Sequence, residues 1–143
     1  NFVFFMVAII AVALFLRVFP DPLWLLLPVL LFYVMVFSIG LSLLLASLAV
    51  FFRDIIHLWG VICTAWVYAT PIFYPIELLP PTLINLMAFN PMYQYITYFR
   101  DIFMWHTMPS VEMHLICLGM ALVTFAVGFI AFLKTEHKFI LYV

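Results

Sequence analysis

The sequence predicts an all-α integral membrane protein with four transmembrane helices and a re-entrant helical hairpin between the last two. Three observations carry that prediction. Of 143 residues, 70% are hydrophobic and only 8% are charged, against about 25% in an ordinary soluble domain. The few charges fall at a handful of points and leave long apolar stretches between them. One uncharged stretch is broken by prolines and has two unlike faces.

A soluble globule of this size has too much surface to cover with so few charges. The high apolar content also excludes a disordered chain. With a net charge of −1 and five Lys/Arg, the chain has no basic patch for nucleic acid. Cys63 and Cys117 each sit in an apolar run and read as small buried hydrophobes, not as a disulfide framework. The chain opens on Asn1 with no basic segment ahead of its apolar run, so Phe2 onward is not a signal peptide. It reads as one transmembrane domain, 1–143, truncated at its N-terminus.

The first span is placed at 2–19. Its apolar run from Phe2 to Leu16 has 15 residues, about 22 Å of helix against a hydrocarbon core of ~30 Å. The turn Phe19-Pro20-Asp21-Pro22 ends it. The second span is placed at 23–51. Pro28 falls either in its first turns or at a kink. Ser38, Ser42 and Ala46 recur every four residues, a small-residue stripe suited to helix packing in lipid; ordinary composition explains it equally well. The third span is placed at 55–76, with Asp54 as its N-cap and Pro71 and Pro75 breaking its far end. The last span is placed at 114–133 and runs into the polar tail Lys134-Thr135-Glu136-His137-Lys138.

Between Glu77 and Arg100 lie 22 uncharged residues, yet this is not a fifth span. Pro80-Pro81 opens it and Asn90-Pro91 splits it, a good N-cap followed by a good first helical residue. From Met92 on, Met92, Ile96, Phe99 and Phe103 share one face; Gln94, Thr97, Tyr98 and Asp101 share the other. Two short helices, 82–89 and 91–105, are therefore expected to dip into one membrane face. Arg53, Lys134 and Lys138 share one side and Arg17 and Arg100 the other, which places the C-terminus and the loop at Arg53 and Asp54 in the cytoplasm.

No residue set suggests catalysis. His57, His106, His114 and His137 show no metal-ligand spacing, and no metal site is expected. There is no phosphate-binding loop of the GxxxxGK[ST] type, so this chain does not itself hold ATP. Aromatics make up 20% of the chain, many of them suited to membrane interfaces. Trp66, Tyr68, Phe73 and Tyr74 cluster at the broken end of span three; Tyr93, Tyr95, Tyr98 and Trp105 cluster on the hairpin. Such rings stack on sugar faces while their polar tips hydrogen-bond. The candidate substrate path is Trp66, Tyr68, Phe73, Tyr74, Tyr95, Tyr98 and Arg100. Arg100 suits an anionic group such as a phosphate, or equally a lipid headgroup at the interface.

The order of motifs carries a resemblance. A Ser- and Gly-containing span ends in Ala49-Val50-Phe51-Phe52-Arg53-Asp54-Ile55. The next ends in Ala69-Thr70-Pro71-Ile72-Phe73-Tyr74-Pro75. Leu79-Pro80 and Asn90-Pro91-Met92 precede Tyr98-Phe99-Arg100-Asp101, and the tail closes with Glu136-His137-Lys138-Phe139-Ile140-Leu141-Tyr142-Val143. Together these resemble the C-terminal part of an ABC exporter permease of the polysaccharide and polyol-phosphate class, which exports lipid-linked O-antigen, capsule or teichoic acid. The resemblance implies six spans in the whole subunit, of which these are the last four, and a bacterial inner-membrane location. It implies a second permease copy as homodimer partner and two ATP-binding cassette subunits that hold ATP and Mg. It also implies a lipid-linked glycan passing between the permeases, with 82–105 closing the outer end. The alternatives are a related permease for a drug or lipid, or a membrane-embedded glycan or lipid transferase.

Overall fold

The computed structural model describes residues 7, 11–12, 15, 22–52, 54–72, 74, 76 and 80–142. Most of the expected first span, and Arg53, Phe73, Pro75 and Glu77, lie outside the described residues. Every element among the described residues is helical. A 3-10 turn, Pro22–Leu26, leads into α1, Leu27–Phe51. Then come α2, Ile55–Ala69; α3, Pro81–Met87; α4, Pro91–Phe103; and α5, Val111–Tyr142.

The boundaries follow local chemistry. Pro28 sits in the first turn of α1, where its missing N–H costs nothing. α2 stops at Ala69, short of the expected 76. Pro71 disfavours helical backbone at Thr70, which is extended with ψ 130°. Fifteen residues rise about 22 Å, less than the ~30 Å core. Asp54 occupies the N-cap position, but its side chain makes no capping bond; its carbonyl accepts from His57 N at 3.1 Å and Leu58 N at 3.2 Å. Asn90 caps α4 as its type predicts, accepting from Met92 N at 3.1 Å. α4 ends two residues earlier than expected, at Phe103, and His106 adopts a left-handed φ of 48°. That turn lets Thr107 N reach back to the Asp101 carbonyl at 2.9 Å. Ser110 Oγ accepts from Met113 N at 3.2 Å and starts α5. α5 then runs through the polar tail as one 32-residue helix, longer than the expected 114–133.

Among the described residues two segments are long and apolar enough to cross a membrane, Pro22–Phe51 and Val111–Glu136. Only 22% and 17% of their most apolar windows are buried within the chain, whereas a soluble core helix would be mostly buried. Their outward faces carry Phe32, Met35, Leu122, Val123 and Ile130, all about half exposed or more. Such a surface needs lipid or protein against it.

These two helices pack along a seam of small side chains. On α1 the buried residues are Leu30, Tyr33, Phe37, Gly40 and Ser47, spaced by threes, fours and a seven. On α5 they include Cys117, Ala121, Gly128 and Thr135. A Cβ on Gly128 would run into the Gly40 carbonyl, and one on Gly40 into the Phe125 backbone. The two backbones therefore touch, as small residues permit in lipid. Ser47 and Thr135 donate to Leu43 O and Ala131 O, each at 2.8 Å within its own helix, so the seam holds no unsatisfied hydroxyl. Ser38 and Ser42 are exposed on the opposite side of α1 and Ala46 is half-buried. Within this chain the close approach belongs to Gly40 and Gly128, not to that stripe.

α4 lies on this pair with its tyrosine-bearing face inward. Its buried residues are Gln94, Tyr95, Tyr98 and Ile102, whereas Met92, Ile96, Phe99 and Phe103 are only half-buried. Tyr95, Tyr98 and Ile102 join Leu30, Tyr33, Phe37, Cys117 and Ala121 in one core. Tyrosine carries enough apolar area to serve as core once its hydroxyl is bonded, and Tyr95 donates to Cys117 O at 3.2 Å. Gln94 is satisfied as well, giving its amide to Ala88 O at 2.9 Å.

Candidate functional site

The outer faces of α4 and the end of α2 build the site. α2 has no buried residue and meets α4 through polar groups. Trp66 Nε1 donates to Asn90 Oδ1 at 2.9 Å, and Asn90 Nδ2 donates to Thr70 Oγ1 at 3.1 Å. Thr70 Oγ1 in turn donates to Trp66 O at 2.9 Å. One asparagine thus caps α4 and holds the α2 terminus, with every bond paired in a region of low exposure. At the far end of α4, Arg100 Nη2 donates to Pro71 O and Ile72 O, both at 3.1 Å. A guanidinium beside carbonyls just past a helix C-terminus is favoured by hydrogen bonding and by the helix dipole. Tyr74 adds a further cap, its hydroxyl donating to Tyr68 O at 3.0 Å.

Beside this junction lies a cavity of about 480 Å³. Tyr74 and Ile76 line it from the connection after α2; Tyr93, Thr97 and Arg100 line it from α4, and Trp105 closes one rim. A second cavity, of about 190 Å³, separates α2 from α1. Trp59, Cys63 and Trp66 face Leu41, Met92 and Ile96 across it, and it is almost wholly apolar. Partial burial raises the Asp101 carboxyl above its ordinary range.

The sequence-derived path residues therefore separate. Arg100 and Tyr74 meet at the larger cavity. Trp66 lines the apolar one, and Tyr68 is 71% exposed. Tyr95 and Tyr98 are 4% and 0% exposed; packing consumes them and leaves no ring surface for a substrate. Tyr93, Thr97 and Arg100 succeed one another by four and three residues, which is one helical face, whereas Tyr95 stands 200° from Tyr93. That spacing is the signal that would have divided the aromatic cluster correctly. Nothing in the pattern flagged Asn90 as a three-way junction. Among the described residues no group of His, Cys, Asp or Glu is arranged to hold a metal.

Comparison with known proteins decides the class. The model of the ABC-2 type transporter family matches residues 1–104. The chain belongs to this family. An O-antigen export system permease protein, RfbA, from Myxococcus xanthus is 33% identical over 95 residues, 64% of this chain and 36% of that protein. One from Klebsiella pneumoniae is 28% identical over 104 residues, 73% of this chain and 40% of that protein. The chain thus spans less than half the length of these curated relatives. Membership of this family, with two long, outward-apolar helices among the described residues, marks the chain as a membrane protein.

Proposed function

We propose that the chain is the C-terminal part of the permease subunit of an ATP-driven exporter of lipid-linked polysaccharide in a bacterial inner membrane. ATP and Mg belong to cassette subunits that partner it, and a second permease copy completes the passage. The cavity carrying Arg100 among Tyr74, Tyr93 and Trp105 is the observation that bears most weight. It offers ring faces for sugars and a cation for an anionic linkage. The names of the two relatives support the glycan. In this reading the segment before α1 and α2 with its connection are further crossings. α3 and α4 form a hairpin dipping from the outer face, and the C-terminus is cytoplasmic.

Two bonds already hold Arg100 Nη2, so its remaining N–H groups are those available to an anion. Arg100 then both seats the α2 terminus and faces the cavity. The test is export of labelled surface glycan by the whole transporter carrying Tyr93→Ala or Trp105→Ala. Loss of one stacking ring predicts a two- to tenfold drop, about 0.5–1.5 kcal/mol, at unchanged membrane insertion. Wild-type export from both variants would remove the cavity from the glycan's route.

A further inference from the structure

Three side chains from three helices meet at the start of α5, on the side of α4 away from the cavity. Tyr33 of α1 places its hydroxyl 3.3 Å from His114 Nδ1. Tyr98 of α4 places its hydroxyl 3.3 Å from Nε2 and 3.4 Å from Nδ1. The rings stand edge to face, with centroids 6.3 Å apart for Tyr33 and His114 and 5.0 Å for Tyr98 and His114. Tyr98 is fully buried and Tyr33 is 9% exposed. His114 thus bonds both α1 and α4, and export as proposed above makes no use of it.

The chemistry of the ring decides what this cluster can do. A neutral imidazole has one donor and one acceptor. It can take the O–H of one tyrosine on its bare nitrogen and give its N–H to the oxygen of the other. An imidazolium has two donors and no acceptor. Protonation therefore strips a phenol O–H of its acceptor, and with Tyr98 and Tyr33 both buried an unpaired donor there is costly. The titratable groups facing the ring are Tyr33 from α1 and Tyr98 from α4. On α5 itself Glu112 is exposed two residues before, and Cys117 is buried one turn on. Asp101 follows Tyr98 by three residues on α4 and is half-buried. Among the described residues no carboxylate bonds the ring to hold a positive charge there, and the Pro22–Leu26 turn carries no charged residue.

We propose that His114 is a positioning residue: its neutral ring pins α4 to the α1–α5 seam, and protonation releases α4. Because the opposite face of α4 bears Tyr93, Thr97 and Arg100, release alters the wall of the larger cavity. The link to transport rests on the exporter reading; the latch itself does not.

The experiment uses the whole transporter in lipid nanodiscs. Amide exchange of residues 94–103 is measured relative to α1 at about pH 5 and pH 8, which bracket imidazole titration, with intrinsic exchange rates divided out. Wild-type α4 should exchange about tenfold faster at the acid end, the effect of losing one to two hydrogen bonds. His114→Asn and His114→Gln keep a donor and an acceptor without titrating, so α4 should stay protected at both pH values. His114→Leu should exchange fast at both. An acid response shared equally by wild type and both amide variants overturns the proposal, as does full protection in His114→Leu. Glycan export in the same particles, reconstituted into vesicles, separates the two readings. Exchange that follows the latch while export ignores pH keeps His114 in its role and counts against the cavity as the glycan's route.

Discussion

The α1–α5 seam and the α2–α4 junction are built from opposite materials. The seam brings two backbones into contact through Gly40 and Gly128, with the Ser47 and Thr135 hydroxyls satisfied inside their own helices. The junction joins α2 to α4 through Asn90 and Arg100, and an apolar cavity of about 190 Å³ lies beside the edge-to-face contact of Trp66 with Phe37 of α1. In lipid no hydrophobic force presses helices together, so close packing and hydrogen bonds must do so. Packing of the first kind is all or nothing, because a dense contact cannot stretch without losing its partners. Hydrogen bonds of the second kind can be exchanged one at a time. The difference separates a close-packed helix pair from an α2 terminus held by hydrogen bonds.

Breaking the seam should have the largest effect. Gly128→Leu forces the Gly40 carbonyl away and should cost about 1–3 kcal/mol or more, read as a lower midpoint of thermal unfolding in detergent. Gly119→Leu is the control, since a Cβ there meets open space. If the two variants melt alike, the seam is not where the pair is held.

Asn90→Ala comes next. It removes the α4 cap, strands Trp66 Nε1 and takes away the donor to Thr70 Oγ1, whose own bond to Trp66 O remains, a loss of about 1–2 kcal/mol. The expected signature is local: faster amide exchange at the start of α4 and the end of α2, with α1 and α5 unchanged. A uniform loss of protection would merge the two regions into one cooperative unit. Arg100→Lys should be milder than Arg100→Ala, because an ammonium reaches carbonyls but lacks the forked geometry. Both variants should insert normally, and Arg100→Ala should cut glycan export. Unchanged export would leave Arg100 a purely structural clamp.

The smallest expected effect tests the other side of α1. Ser42 donates to Ser38 O at 2.8 Å on an exposed face, so Ser42→Ala should shift the stability of the isolated subunit by less than about 0.5 kcal/mol. A larger shift seen only in the assembled transporter would assign the Ser38, Ser42 and Ala46 stripe to contact with a second copy.

Much of the architecture was legible in the residues. The scarcity of charge marked the lipid environment, and Asn90-Pro91 marked the start of α4 down to the capping bond. Pro71 foretold that α2 would fail near its end, and only the residue of failure differed. What stayed hidden was tertiary. Hydrophobicity divided α4 into a face of Met92, Ile96, Phe99 and Phe103 and a face of Gln94, Thr97, Tyr98 and Asp101, without saying which of them turns inward. The structure buries Tyr95 and Tyr98, because α5 supplies a carbonyl and an imidazole for their hydroxyls. Of the four glycines, spacing along one helix does not tell Gly40 and Gly128 from Gly60 and Gly119; only the facing helix does. The site was half visible for the same reason. Arg100 and Tyr74 were found by type, whereas Tyr93 and Thr97 required knowing which side of α4 the core had already taken.

α2 meets α1 through the edge-to-face pair of Trp66 and Phe37, and it meets α4 through the bonds of Trp66 and Thr70 to Asn90. These contacts fall in its last turns, about 16 Å along the helix from Ile55. A stiff rod gripped near one end is a lever: a push at Ile55 is felt at Asn90 and at Phe37 together.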